Sequence, residues 1–194
     1  MVGARALIGG SRHHLLFITR SSNNIDVIDL QSFEYLENIK NNILPVSDDN
    51  EVWYHCFVKN DVNKKKKEKN ERDEFILMSN GETLLIEYDE IKNEFFYQQL
   101  SSFHSPFKGL KEYAFAYWKH CIFIFGGYDN NQYERIDSIW KFDMKEKNWK
   151  ECNIKIPIAI DSAVAVVREN DSLIHTIGGY NDKKLDTHYV MIVV

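Results

Sequence analysis

Two stretches of this chain can be laid on one another without a gap, and that repeat constrains the fold more than any other feature. Leu15-Leu16-Phe17-Ile18, continuing through Ile28-Asp29 to Tyr35, aligns with Phe75-Ile76-Leu77-Met78, continuing through Tyr88-Asp89 to Phe95. Each copy has an apolar run, a polar turn and a second run closing on an apolar–Asp pair. An aromatic follows six residues after the Asp. A third copy appears at Cys121-Ile122-Phe123-Ile124-Phe125, with Phe142-Asp143 and then Trp149 at the same spacing. A fourth begins at Ser162 and runs through Leu173-Ile174-His175-Thr176-Ile177 to Val194. The repeated acids Asp29, Asp89 and Asp143 are 60 and 54 residues apart, and periods of about 50 residues belong to propeller blades of four short strands. Between the copies the chain reads as short β-prone runs broken by Gly, Asn, Asp and Ser, with no long helical period.

Each copy divides into strands a to d. In the third, the pattern predicts strand a over Tyr113–Trp118, b over Cys121–Phe125, c over Ser138–Asp143 and d over Trp149–Asn153. The first copy starts with strand a at Ala4–Ile8, and the second with strand a at Val52–Val58. An Asp closing strand c can accept hydrogen bonds from the backbone of the next turn, and the aromatic can pack back onto the blade. Tyr35, Phe95 and Trp149 are therefore expected in equivalent places. The expectation is an all-β single domain over 1–194, with blades at about 1–40, 50–100, 111–154 and 161–194. Residues 61–72 form a Lys-rich insertion between strands a and b of the second blade.

The third and fourth copies carry a second signal. Strand b of the third ends in Gly126-Gly127-Tyr128-Asp129, followed by Tyr133, Ile136, Trp140-Lys141-Phe142-Asp143 and Trp149. The fourth repeats it as Ile177-Gly178-Gly179-Tyr180-Asn181-Asp182, then Leu185-Asp186 and Tyr189. A glycine pair at a strand end reaches backbone angles closed to other residues and lets neighbouring backbones approach. This pattern resembles the kelch motif, specifically over about 111–194. Over 1–110 it is degenerate, with Thr19-Arg20 and Ser79-Asn80 in place of the glycines. The resemblance implies an incomplete kelch-type β-propeller of about three and a half blades. It also implies a non-catalytic binding module, since kelch proteins are commonly ubiquitin-ligase adaptors or cytoskeletal scaffolds. No BTB-like helical domain is visible, so neither role is assigned.

Composition narrows the function classes. Net charge is −5 and is spread along the chain, which gives no reason to expect a nucleic-acid partner. No apolar run approaches the ~20 residues of a membrane helix, and Met1–Gly10 lacks the layout of a secretory signal. Cys56, Cys121 and Cys152 are few, odd in number and far apart, as in a reduced compartment. The expected location is the cytoplasm, with Lys64-Lys65-Lys66-Lys67 as a weak nuclear-import signal inside what reads first as a solvated loop.

Catalytic and metal chemistry are not legible. His13, His14, His55, His104, His120, His175 and His188 show no His-x-His spacing and no paired cysteines. His13 and His14 are expected on opposite sides of a strand, and His175 as a packed or hydrogen-bonded core residue. Asp48 and Asp49 sit in a turn-rich loop. GxSxG, phosphate-loop and HExxH patterns are absent. The expectation is no enzyme, no cofactor and no metal, with a copper oxidase of the galactose-oxidase type as a distant alternative on the same architecture.

Binding then falls to loops. Up-and-down strands put the b–c and d–a loops at one end and the a–b and c–d loops at the other. The candidate partner-binding residues are Tyr128, Asp129, Asn131, Tyr133 and Arg135 in one b–c loop, and Tyr180, Asn181 and Lys183 in the next. Tyr and Asn suit adaptable recognition of a protein surface. Three readings of the blade count stay open: a fragment of a longer product, a half-propeller pairing with another chain, or an irregular four-bladed ring. The abrupt start and stop favour the first, and open blade edges point to self-association as a further expectation.

Overall fold

In a computed structural model of the chain, residues 3–21, 23–46, 52, 54–60, 72–79, 81–100, 108–168, 170 and 172–193 are described. Residues 61–71 of the Lys-rich insertion, Asp48, Asp49 and His104 lie outside them, and Arg72, placed in the insertion by the sequence reading, belongs to a strand. The fold is all-β, with no α-helix among the described residues. The chain divides into two compact units, 1–104 and 105–194, and each contains two of the four repeat copies.

In the first unit, β1 (Arg5–Gly9), β2 (Leu15–Arg20), β3 (Asn24–Asp29) and β4 (Glu34–Tyr35) form one antiparallel sheet in chain order. The second sheet repeats that order with β5 (Cys56–Lys59), β6 (Arg72–Ser79), β7 (Glu82–Asp89) and β8 (Glu94–Gln99). Strand a of the second blade is thus only the last part of the expected Val52–Val58. The two sheets meet through alternate residues: Leu15, Phe17, Ile25 and Val27 against Phe57, Phe75, Leu77, Leu84, Ile86, Tyr88 and Phe95. Phe17 is the centre, 4.8 Å from the Phe75 ring and 5.0 Å edge-on from Tyr88. His55 is fully buried beside this core, 2.5 Å from the Thr19 hydroxyl through Nε2. Burial, with Arg5 nearby, pushes its pKa down to about 3, so it is a neutral core residue.

The second unit contains the third blade, β10 (Ala114–Trp118), β11 (Cys121–Phe125), β14 (Ser138–Asp143) and β15 (Asn148–Lys155), in that spatial order. Its b and c strands match the expected bounds to the residue. The fourth blade has three strands, β16 (Val164–Arg168), β17 (Leu173–Ile177) and β20 (His188–Ile192). Ala114, Ala116, Trp118, Phe123 and Phe125 of one blade pack toward Ile174, Ala165, Val167 and Met191 of the other. β11 is buried along its whole length, whereas β17 alternates, because one face of the fourth blade is uncovered.

The c–d turns repeat in atomic detail. Asp29 Oδ1 accepts from the amides of Gln31 and Ser32, Asp89 Oδ1 from Lys92, and Asp143 Oδ1 from Lys145 and Glu146. Four residues after each Asp the chain turns left-handed, at Phe33 (φ 59°), Asn93 (φ 52°) and Lys147 (φ 54°). That places the aromatic directly across from the residue before the Asp: Ile28–Tyr35, Tyr88–Phe95 and Phe142–Trp149. Burial differs, however. Phe95 is buried and Trp149 packs on Phe142, but Tyr35 is 60% exposed, because β4 is only two residues long. Tyr35 keeps the register of the repeat and not its packing. His13 and His14 also depart from expectation, lying in the a–b turn with His13 left-handed at φ 55°, not within a strand.

Candidate functional site

The glycine pairs build one end of the second unit. Both follow a b strand and all four glycines have positive φ: 58° and 115° at Gly126 and Gly127, 70° and 114° at Gly178 and Gly179. Gly127 donates its amide to the Ile160 carbonyl and accepts from Ile136. A Cβ on it would stand 2.9 Å from the Lys111 carbonyl. Beyond each pair the b–c loop folds into a small hairpin: β12 (Tyr128–Asp129) with β13 (Glu134–Arg135), and β18 (Tyr180–Asn181) with β19 (Lys183–Lys184). β12 also pairs with β9 (Leu110–Lys111), which leads into strand a, and Tyr180 bridges Asp161 in the same manner. The b–c and d–a loops therefore share one end, as strand order requires. In the first unit the b–c links are tight turns at Asn23 and Gly81, which explains why the glycine pair is missing there: no hairpin needs it.

These loops enclose an open cleft of ≈ 710 Å³ lined by Glu112, Tyr128, Arg135, Asp161, Ser162, Tyr180, Lys184 and neighbours. Arg135 organises it. Its Nε is 2.7 Å from Asp161 Oδ2 and its Nη1 is 3.1 Å from Asp182 Oδ1. The guanidinium lies over the Tyr180 ring at 4.8 Å from the centroid and beside Tyr128 at 5.9 Å. A planar cation suits such stacking while it pairs with two carboxylates in its own plane. Asp161 is buried, and Arg135 is its charged partner.

Of the residues singled out from sequence, Tyr128, Arg135 and Tyr180 line the cleft. Asp129 instead accepts from the Asn131 amide, and the Asn131 side chain donates to the Lys108 carbonyl, so both hold the hairpin. Tyr133 is the 80% exposed tip, at φ 57°. Asn181 and Lys183 sit in the next hairpin outside the lining. Glu112, Asp161, Ser162 and Lys184 were missed. Glu112 and Ser162 have one backbone role, left-handed two residues before strand a (φ 56° and 55°), as are Gly3 and Tyr54 in the first unit. Four residue types fill that position, so no sequence pattern marks it. The Ser162 amide donates to the Glu112 carbonyl at 2.7 Å, and the Ser162 hydroxyl donates to its carboxylate.

At the opposite end, His120, Cys121 and Asp143 bring three potential ligand atoms within 4.8 Å of one another. They come from the a–b turn, the start of b and the end of c, so spacing in the sequence does not reveal them. Asp143 Oδ1 is committed to the turn amides, and Oδ2 faces His120 at 3.4 Å and Cys121 at 3.8 Å. Burial pushes the Asp143 carboxyl up, yet the Glu146 and Lys145 amides and His120 hold it below its usual value. Burial raises the Cys121 thiol, keeping it protonated. The trio acts as a lock on the turn. His175, expected in the core, is instead on the uncovered face, with Nδ1 2.7 Å from His188 Nε2 and the rings stacked.

Comparison with known proteins agrees with this geometry. Residues 110–154 match the Kelch motif family model. The third blade is a kelch blade. The solved structure described as "Structure of YjhT" is similar in fold, with a TM-score of 0.52 at 10% sequence identity over 91% of this chain. The chain spans 55% of that protein's length. No curated protein matches. The fold is all-β and similar to that of kelch-type propellers, each repeat copy forming its own antiparallel sheet among the described residues.

Proposed function

We propose that the chain is a non-catalytic kelch-type binding module that takes a protein segment in the cleft between the b–c and d–a loops of the second unit. The observation that carries this reading is Arg135, held by Asp161 and stacked between Tyr180 and Tyr128 on an open, solvent-facing surface. Tyrosine and arginine anchors of this kind dominate protein interfaces, tyrosine because it buries large area with few rotors and arginine because its planar guanidinium pairs and stacks at once. The lining supplies carboxylates, a hydroxyl, an ammonium and two phenol rings, groups that pair with the polar and charged side chains of a protein segment.

The test uses the full chain as bait, beside a Tyr180→Ala/Lys184→Ala variant of the cleft and a Lys145→Gln/Glu146→Gln variant of the c–d turn at the other end. A specific partner should be lost with the first pair and kept with the second. Equal recovery from both variants refutes the cleft, and loss with the turn variant alone moves the working surface to the opposite end.

A further inference from the structure

At the end opposite the cleft, the blades differ in what surrounds one oxygen. Asp89 and Asp143 both give Oδ1 to turn amides, and each is paired with the first residue of strand b. In blade 2 the second oxygen meets permanent cations, with Arg72 Nη2 3.2 Å and Lys92 Nζ 3.8 Å from Asp89 Oδ2. In blade 3 Cys121 stands where Arg72 does. Asp143 Oδ2 there faces His120 Nε2 at 3.4 Å and the Cys121 thiol at 3.8 Å. Blade 1 has His14 at the place of His120, but Leu15 at that of Cys121, and His14 Nε2 faces Glu90 at 3.6 Å. Among the described residues, blade 3 alone brings a ring nitrogen, a sulfur and a carboxylate oxygen within 4.8 Å of one another.

Their separations match those of donors around one small ion. Tetrahedral bonds of about 2.0–2.3 Å put nitrogen about 3.4 Å from oxygen, and sulfur about 3.6 Å from either. The gap between nitrogen and sulfur is no more than 4.8 Å, and a small rotation of the partly exposed His120 ring closes it. The frame around the donors is fixed by backbone. Cys121 is directly opposite Asp143 in the ladder, and the Met144 amide donates to the His120 carbonyl at 2.9 Å. The amides of Lys145 and Glu146 orient the carboxylate through its other oxygen, as hydrogen bonds behind a metal ligand do.

We propose that His120 Nε2, Cys121 Sγ and Asp143 Oδ2 hold a zinc(II) ion, with water as the fourth donor. One nitrogen, one sulfur and one oxygen suit a borderline ion, whereas magnesium and calcium take oxygen donors. On binding, the Cys121 S–H bond breaks, the sulfur keeps the electron pair and donates it to zinc, and the proton leaves to solvent. Thiolate and carboxylate then balance the two charges of the ion, so the filled site is neutral. Lys141 lies close to both Cys121 and Asp143 and favours the thiolate. The ion clips the a–b turn to strands b and c of blade 3. It sits at the opposite end from the Arg135 cleft and is independent of that cleft's role.

The probe is zinc alone, titrated into the tag-free full-length chain against a chromophoric chelator, with a phosphine as reductant. One zinc per chain is expected, and a melting temperature that rises with zinc concentration. Cobalt(II) in its place should show a sulfur-to-cobalt band in the near ultraviolet and the strong visible bands of a four-coordinate ion. Cys121→Val puts an apolar residue where blade 1 has Leu15. That variant and His120→Asn should each weaken zinc by on the order of tenfold or more, with β-sheet circular dichroism unchanged. Two controls should bind as the wild type does: Cys152→Ser, in strand d, and His175→Gln/His188→Gln, in the stacked pair of blade 4. No zinc bound at submillimolar concentration overturns the proposal. So does binding that is unchanged in Cys121→Val or in His120→Asn, or that is lost in either control. Should Cys121→Val fail to fold, the cobalt spectrum of the Cys152→Ser chain decides. Cys56 is fully buried, so a sulfur band in that chain comes from Cys121, and its absence refutes the site.

Discussion

Substituting alanine at Gly127 and at Gly178 separates two costs that a glycine pair combines. At Gly178, φ is 70° and the nearest atom to an added Cβ is the Leu185 carbonyl at 4.0 Å. Only the left-handed backbone is penalised, at about 1 kcal/mol. At Gly127, φ is 115°, outside the left-handed well open to alanine, and Cβ would meet the Lys111 carbonyl and Leu110 Cδ1, each at 2.9 Å. Backbone strain of about 1–3 kcal/mol adds to overpacking of about 1–3 kcal/mol, so a loss near 3–4 kcal/mol is expected. The Lys111 carbonyl cannot swing away, because its strand is paired with Tyr128. With a urea slope of about 1.5 kcal/mol/M, the midpoints fall by roughly 0.7 M for Gly178→Ala and by more than about 2 M for Gly127→Ala. Tryptophan fluorescence is the natural readout, since Trp118, Trp140 and Trp149 all lie in the second unit. Equal shifts for the two variants would refute the argument that close backbone approach, and not only φ, demands glycine at Gly127.

His55 has its pKa lowered to about 3, below its unfolded value, so the unfolded chain takes up a proton first and stability falls as pH drops from about 6.5 toward 3. The loss by pH 5 is about 2 kcal/mol in urea titrations, and His55→Gln should flatten that limb. Asp29, Asp89 and Asp143 are all held below the usual carboxylate value: the Gln31 amide leads for Asp29, while at the other two turn amides and nearby cations outweigh burial. Their contribution is present above 3.8 and lost as pH falls through the lowered values, so the triple Asp→Asn variant should show a shallower acid limb below pH 3.8. Arg135→Ala leaves Asp161 buried without its partner and should cost about 2–4 kcal/mol, whereas adding Asp161→Asn should recover part of it in a double-mutant cycle. Additivity of the two substitutions refutes the coupling.

The repeat was legible because blade physics is local. A c strand closed by Asp, a turn capped by its carboxylate and an aromatic six residues on are all near neighbours in sequence, and the third blade's b and c strands follow the expected bounds. The glycine pairs were equally readable, since the second glycine of each, at φ 115° and 114°, lies outside the left-handed well that other side chains in this chain adopt. Tyr128, Arg135 and Tyr180 could be singled out because they follow those glycines. What brings them together with Glu112, Asp161, Ser162 and Lys184 is the meeting of loops 25 to 50 residues apart, and there the backbone conformation repeats while the residue type does not. The same holds for His120, Cys121 and Asp143, joined only by strand pairing. Burial of Tyr35 failed for the converse reason: its sequence position matches Phe95, but a side chain is buried only if enough strand follows to carry a covering layer. Which amides of β20 face β17 likewise belongs to tertiary structure alone, because it depends on the phase of the ladder between the two strands. Local periodicity thus determined the strands and turns, while contacts between distant segments decided which side chains share a surface.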